Sequence, residues 1–176
     1  LESKQRFFKT QEIVIGQIEK VMKIQDSKEF YIASEEEMAE VVNSVVETIT
    51  AGDVIFLEGN LGAGKTTFTR YLLKALGFMG KVKSPTFTWV EPYDLCETRG
   101  FMLYHYDLYR LGSNALDQLD MLGFRDHQSE QSVLVIEWPD RLRRESSEST
   151  EYYLNPTLSI GIQAKGKGRR ILITRV

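Results

Sequence analysis

Residues 59–66 read Gly-Asn-Leu-Gly-Ala-Gly-Lys-Thr. Glycines spaced five apart, then a cation and a hydroxyl, are groups suited to holding a polyphosphate. The glycines let backbone N–H groups turn inward around an anion. The N-terminus of a following helix adds about half a positive charge. Lys65 is placed to reach the outer phosphates, and the Thr66 hydroxyl to ligate Mg2+. The candidate phosphate cradle is therefore Gly59, Asn60, Leu61, Gly62, Ala63, Gly64, Lys65, Thr66 and Thr67. A glycine turn without a ligand is the alternative, and the flanks argue against it. An apolar run at Val54–Leu57 precedes the loop. Helical spacing at Phe68, Leu72, Leu73 and Leu76 follows it and stops at Gly77.

A nucleotide hydrolase built on such a loop needs an acid near the metal, usually at the end of a neighbouring strand. Val133–Ile136 is a short apolar run of the kind that is buried on both faces, and Glu137 stands where it stops. Glu137 is thus the candidate metal carboxylate beside Thr66. Glu stands where Asp is the usual choice, and its longer side chain can ligate through a water or orient the attacking one. Trp138 and Pro139 end the strand, and Trp138 is either a cover for the nucleotide or a core aromatic. His105-Tyr106-Asp107-Leu108-Tyr109-Arg110 carries a base, an acid and a cation. Asp107 is a second candidate catalytic residue, holding the attacking water. Arg110 could meet a phosphate, and His105 could orient either. Ordinary turn residues remain the other reading of that segment. In Ser84-Pro85-Thr86-Phe87-Thr88, Thr86 is a candidate switch residue for the γ-phosphate, and a capping turn is its alternative.

These groups need elements to position them. Glu29–Ala33 reads as a short strand, and Ser34 with Glu37 as a capping box that opens a helix to about Ile49. Asp53–Glu58 is the strand feeding the glycine loop. Thr86–Val90 is a strand candidate broken at Pro92, with a polar loop then running to Gly100. Phe101–Tyr106 reads as a strand and Asn114–Leu122 as a helix. The end reads as a hairpin, Thr157–Ala164 and Arg169–Thr174, around a turn at 165–168. Strands interleaved with helices predict an α/β fold: a P-loop NTPase-like sheet, parallel in the centre with antiparallel additions and helices on both faces.

The chain has 176 residues, 42% of them hydrophobic and 27% charged, which suits one globular domain. Its net charge of −3 argues against a generally basic nucleic-acid binder. Local basic clusters stand at Arg141, Arg143 and Arg144 and at Lys165, Lys167, Arg169 and Arg170. They are solvated surface, or contacts to phosphates, tRNA or protein. Cys96 is the sole cysteine, so neither an intrachain disulfide nor a Cys-based metal site is available, and a cytoplasmic setting is expected. No apolar run has transmembrane length, and the first residues lack the apolar core of a signal peptide. Residues 1–28 hold six cations against four acids and a loose apolar pattern from Ile13 to Ile24. Residues 1–23 are expected to be a weakly packed extension and 24–176 a single domain, with Met22 just before it.

Five segments taken together resemble the TsaE (YjeE) family: the glycine loop, Ser84–Thr88, Val90-Glu91-Pro92-Tyr93, His105–Leu111 and Val135-Ile136-Glu137-Trp138-Pro139. The resemblance covers roughly residues 24–176. It implies a P-loop ATPase fold, Mg-ATP as nucleotide and slow hydrolysis. Lys65 and Thr66 would bind phosphate and Mg2+, Glu137 would serve the metal, Asp107 would serve hydrolysis, and Thr86 would belong to a switch. It also implies two related partner subunits that carry out threonylcarbamoyl transfer to adenosine 37 of ANN-decoding tRNAs, with tRNA met through the complex. Hydrolysis would reset that complex between rounds. A small-molecule P-loop kinase would need an arginine-rich lid, which is not evident. A regulatory GTPase would need Asn-Lys-x-Asp, which is absent. A non-catalytic, nucleotide-dependent binding module is the remaining alternative.

Overall fold

The structure is a computed structural model. It describes residues 26–112, 115–145, 150–152 and 154–176, so the expected extension at 1–23 and the helix start at Asn114 lie outside the described residues. In chain order the strands are β1 (Asp26–Ile32), β2 (Val54–Glu58), β3 (Val90–Leu95), β4 (Phe101–Asp107), β5 (Ser132–Glu137), β6 (Arg143–Glu145), β7 (Thr150–Tyr152), β8 (Leu158–Lys165) and β9 (Gly168–Arg175). The helices are α1 (Glu35–Val46), α2 (Lys65–Ala75), α3 (Cys96–Arg99), α4 (Ala115–Met121) and α5 (Phe124–His127), with a 3-10 turn at Pro139–Leu142.

Seven strands form one sheet in the order β1-β9-β8-β2-β5-β4-β3, and β6 pairs with β7 apart from it. β2 runs parallel to both its neighbours, β5 and β8, and β4 runs parallel to β5. The remaining pairs are antiparallel. This is the P-loop NTPase-like sheet expected, parallel in the centre with antiparallel additions at both edges.

The central strands are apolar on both faces because both faces are covered. Ile55, Leu57, Val133 and Val135 point into one core with α1 and α2. Val54, Phe56, Leu134 and Ile136 point into a second, closed by Leu119 of α4, Phe124 of α5 and Leu142 of the 3-10 turn. α1 buries Met38, Val41, Val42, Val45 and Val46, the stripe that a 3.6-residue period puts on one side. Its N-cap is the expected one: Ser34 Oγ accepts from Glu37 N at 3.3 Å. Glu37 Oε2 reaches back to Ala33 N at 2.7 Å, one residue beyond the usual box. α1 ends at Val46, earlier than the pattern suggested, although Ile49 is still buried.

Three expectations need correction. Thr86–Thr88 is turn, and the strand begins at Val90 and runs through Pro92. β3 is the edge strand, paired only with β4, so a residue without an N–H costs no ladder bond on the open side. The expected polar loop to Gly100 is instead the end of β3 and the short α3. The first strand starts at Asp26 and pairs along its length with β9, a partner that local pattern does not reveal. The hairpin β8–β9 stands as expected, its turn carried by Gly166. Among the described residues no helix is long and apolar enough to cross a membrane.

Candidate functional site

The glycine loop joins β2 to α2 at the end of the sheet where β4 and β5 also finish. Two of its glycines are required by space and angle. Gly59 has φ +147°, and a Cβ there would lie 2.3 Å from Ile162 O on β8. Gly64 caps α2 with φ +113°, a left-handed conformation that opens the helix N-terminus toward the cleft. Phe68, Leu72 and Leu73 are fully buried and hold α2 down, which fixes Lys65 and Thr66 in its first turn.

A cleft of about 460 Å3 lies over this turn. Its wall brings together Leu61, Gly62, Gly64, Lys65, Thr66 and Thr67 from the loop with Thr86, Asp107, Glu137 and Trp138. Gly59, Asn60 and Ala63, also expected in the cradle, are not among the residues lining it. Thr66 Oγ1 donates to Glu137 Oε1 at 2.8 Å, joining the two motifs that sequence spacing set 71 residues apart. His105 Nε2 donates to the same oxygen at 2.9 Å. His105 is completely buried, and among the described residues its Nδ1 has no hydrogen-bond partner; the carboxylate acceptor puts the ring proton on Nε2. The sequence leaves His105 to orient Asp107 or Arg110; the structure sets it against Glu137 instead.

Asp107 is held on its other side. Thr86 Oγ1 donates to Asp107 Oδ2 at 3.2 Å, and Tyr109 N donates to Asp107 Oδ1 at 3.1 Å. Ser84 Oγ lies 2.8 Å from Thr86 Oγ1. Tyr93 Oη pins the start of this segment, accepting from Lys83 N and donating to Lys83 O. Arg110 lines the cleft with its guanidinium 4.6 Å over the ring of Phe87, which is itself 81% exposed.

Lys65 is almost fully buried. Its ammonium donates to Gly59 O at 2.8 Å and Asn60 O at 3.2 Å, and lies 3.9 Å from the centre of the Trp138 ring. Burial pushes its pKa down, and the carboxylates of Glu137 and Asp107 push back up. Trp138 and Trp89 are the two non-glycine residues with positive φ among the described residues, at 60° and 63°. Each follows a site segment, and left-handed backbone at bulky residues costs about 1–3 kcal/mol, a strain that gathers at functional sites. Trp89 O accepts from Asp107 N, and Glu137 O from Leu108 N, so both corners are tied to the Asp107 turn.

The sequence reading did not single out Arg169 from its basic cluster. The structure turns it to the loop: Arg169 Nε donates to Ala63 O at 2.7 Å, and the residue lines the cleft. Arg170 of the same cluster pairs with Glu29, and Arg143 of the other basic cluster pairs with Asp140.

The donor set suits Mg2+: a hydroxyl on a carboxylate, both hard oxygens, at the mouth of a glycine loop. Thr66 and Glu137 are the residues that could hold it.

Known proteins resemble the chain in the same sense. The sequence model of the family described as "Threonylcarbamoyl adenosine biosynthesis protein TsaE" matches residues 32–171. A tRNA threonylcarbamoyladenosine biosynthesis protein TsaE from a Nostoc species is 35% identical over 142 residues, 80% of this chain and 83% of that protein. The protein of that name from Haemophilus influenzae is 46% identical over 88 residues, 50% of this chain and 52% of its own length. The crystal structure of Bacillus subtilis YdiB superposes with a TM-score of 0.58 at 27% identity, covering 87% of this chain and 88% of that one. The family match takes in every segment that builds the cleft, from the end of β1 to the core of β9, and the chain belongs to the TsaE family.

Proposed function

We propose that this chain binds Mg-ATP, hydrolyses it slowly, and so resets a tRNA threonylcarbamoyl transferase complex between rounds of modification. The observation that carries the reading is the bond between Thr66 and Glu137, which brings a phosphate loop and a buried strand-end carboxylate to one point. The names of the relatives supply the pathway, threonylcarbamoyladenosine formation in tRNA. The transfer itself belongs to two related partner subunits, and tRNA is met through them. The cytoplasm, where tRNA is modified, is the proposed setting.

In this reading the loop N–H groups and the α2 N-terminus receive the phosphates, and Lys65 gives up its carbonyl partners for the outer ones. Mg2+, when bound, neutralises charge on the outer phosphates. Thr66 and Glu137 would hold it, with His105 fixing the carboxylate's rotamer from behind. Asp107 orients a water toward the terminal phosphate, and Thr86 reports on that phosphate through its bond to Asp107. Trp138 moves with Lys65 and covers the nucleotide. Arg110 on the Asp107 side of the cleft has its guanidinium over the Phe87 ring, and a low rate in isolation is expected until it turns to the phosphate.

The test separates binding from chemistry. Glu137→Ala and Asp107→Ala should still bind ATP by calorimetry yet lose most phosphate release in the presence of the partner subunits. Glu137→Ala should also block repeated rounds of tRNA threonylcarbamoylation more than the first. Wild-type hydrolysis in both variants would leave only a nucleotide-dependent binding module.

A further inference from the structure

We propose that Arg169 is a nucleotide-binding residue, its guanidinium contacting the non-terminal phosphates that ATP and ADP share. The inference rests on the proposed nucleotide site and names a ligand group within it. The residue reaches the cleft from β9, two strands away from β2 and on the side opposite β5. Only its Nε is used: it donates to Ala63 O at 2.7 Å, and among the described residues neither Nη group has a hydrogen-bond partner.

Three observations point the spare donors at an anion. First, Arg169 is partly buried and has no ion pair among the described residues, whereas Arg99, Arg170 and Arg175 each have an acid partner. A partly buried guanidinium without a counter-charge calls for one from a ligand. Second, the residue borders the same cleft as Lys65, Thr66 and Thr67, beside Gly64, whose Cβ would lie 3.5 Å from Arg169 Nε. Third, the two acids of the cleft stand on one side of the loop, away from Arg169. Glu137 and Asp107 stand at the ends of β5 and β4 on one flank of the loop, and Arg169 on the other. A polyphosphate with its metal-bearing end at Glu137 extends its nucleoside end toward Arg169. The position of Arg169 is itself constrained. Gly168 before it passes so close to Ile32 that a Cβ would lie 2.2 Å from the Ile32 oxygen.

The contact predicts a loss common to both nucleotides. Arg169→Gln should weaken Mg-ADP and Mg-ATP binding, measured by calorimetry on the full chain, by the same factor, roughly ten- to hundredfold for one charge-assisted contact. The affinity of the wild type for ADP should also fall more steeply with added KCl than that of the variant, because a direct charge contact is screened. Three results overturn the proposal: ADP affinity within twofold of wild type, a loss confined to ATP, or parallel salt dependence in the two proteins. The last would mean that Arg169 merely straps the loop. A wild-type protein that binds neither nucleotide would instead defeat the proposed function itself.

Discussion

The Lys65 ammonium is held by two loop carbonyls and the face of Trp138, and each is a substitute for a phosphate. Replacing it with alanine removes the cation nearest the outer phosphates, so Lys65→Ala should lower Mg-ATP affinity roughly ten- to hundredfold. Calorimetry giving an unchanged constant would take Lys65 out of the phosphate site. A second residue-scale effect lies away from the cleft. Tyr106 Oη is 2.5 Å from His127 Nδ1, and the Tyr104 ring stacks on His127 at 3.8 Å. Burial pushes the His127 pKa below its ordinary 6.5, with Asp126 opposing. The unfolded chain therefore takes up this proton at higher pH than the folded one. Stability should fall as pH drops below about 6.5 and level off once the folded imidazole is also protonated. Melting curves between neutral and mildly acidic pH should show that loss in the wild type and a smaller one in His127→Gln. Equal slopes would assign the acid sensitivity elsewhere. Lys65, Thr66 and Glu137 were legible in the sequence because each sits in a local pattern, a glycine loop or the end of an apolar run. Arg169 was not, because its bond to Ala63 spans 106 residues and only the folded hairpin delivers it.

At the scale of elements, the site depends on how closely the loop is pressed against β8. Gly59 touches the backbone of Ile162 with no room for a methyl group and at a φ that side chains rarely adopt. Gly59→Ala should cost about 3 kcal/mol of stability, from strain and overpacking together, and displace the loop. Urea denaturation within a few tenths of a kcal/mol of wild type would show that the loop yields more easily than this packing implies. The α2 helix and the buried strands β2 and β5 followed from periodicity alone, since one-sided or two-sided burial writes itself into the apolar pattern. β3 did not. Pro92 signals a break wherever both edges of a strand are paired, and here one edge is free. The pairs β1–β9 and β6–β7 likewise depend on distant partners and leave no local trace.

For the whole molecule, the proposed function makes the γ-phosphate the difference between two states. The segment at 84–88 is anchored by Tyr93 at its start and by Trp89 at its end, and among the described residues Thr86 is its one side-chain link to the Asp107 carboxylate. ATP should favour one assembly with the partner subunits and ADP another, and Thr86→Ala should narrow the difference without unfolding the protein. Pull-downs with equal recovery in the two nucleotides would remove the switch. The strand order carries one more consequence. β2 takes its neighbours from β5 and β8, and β1 takes its only partner from β9, so Asp26 faces Arg175. On the ribosome the nucleotide loop is therefore made early and supported late. We expect a nascent chain to need shelter from aggregation until β9 has emerged, since sheet closure waits on contacts so distant in sequence. Stalled chains should gain protease resistance only once β9 has cleared the exit tunnel, and resistance in chains ending before β8 would contradict that order.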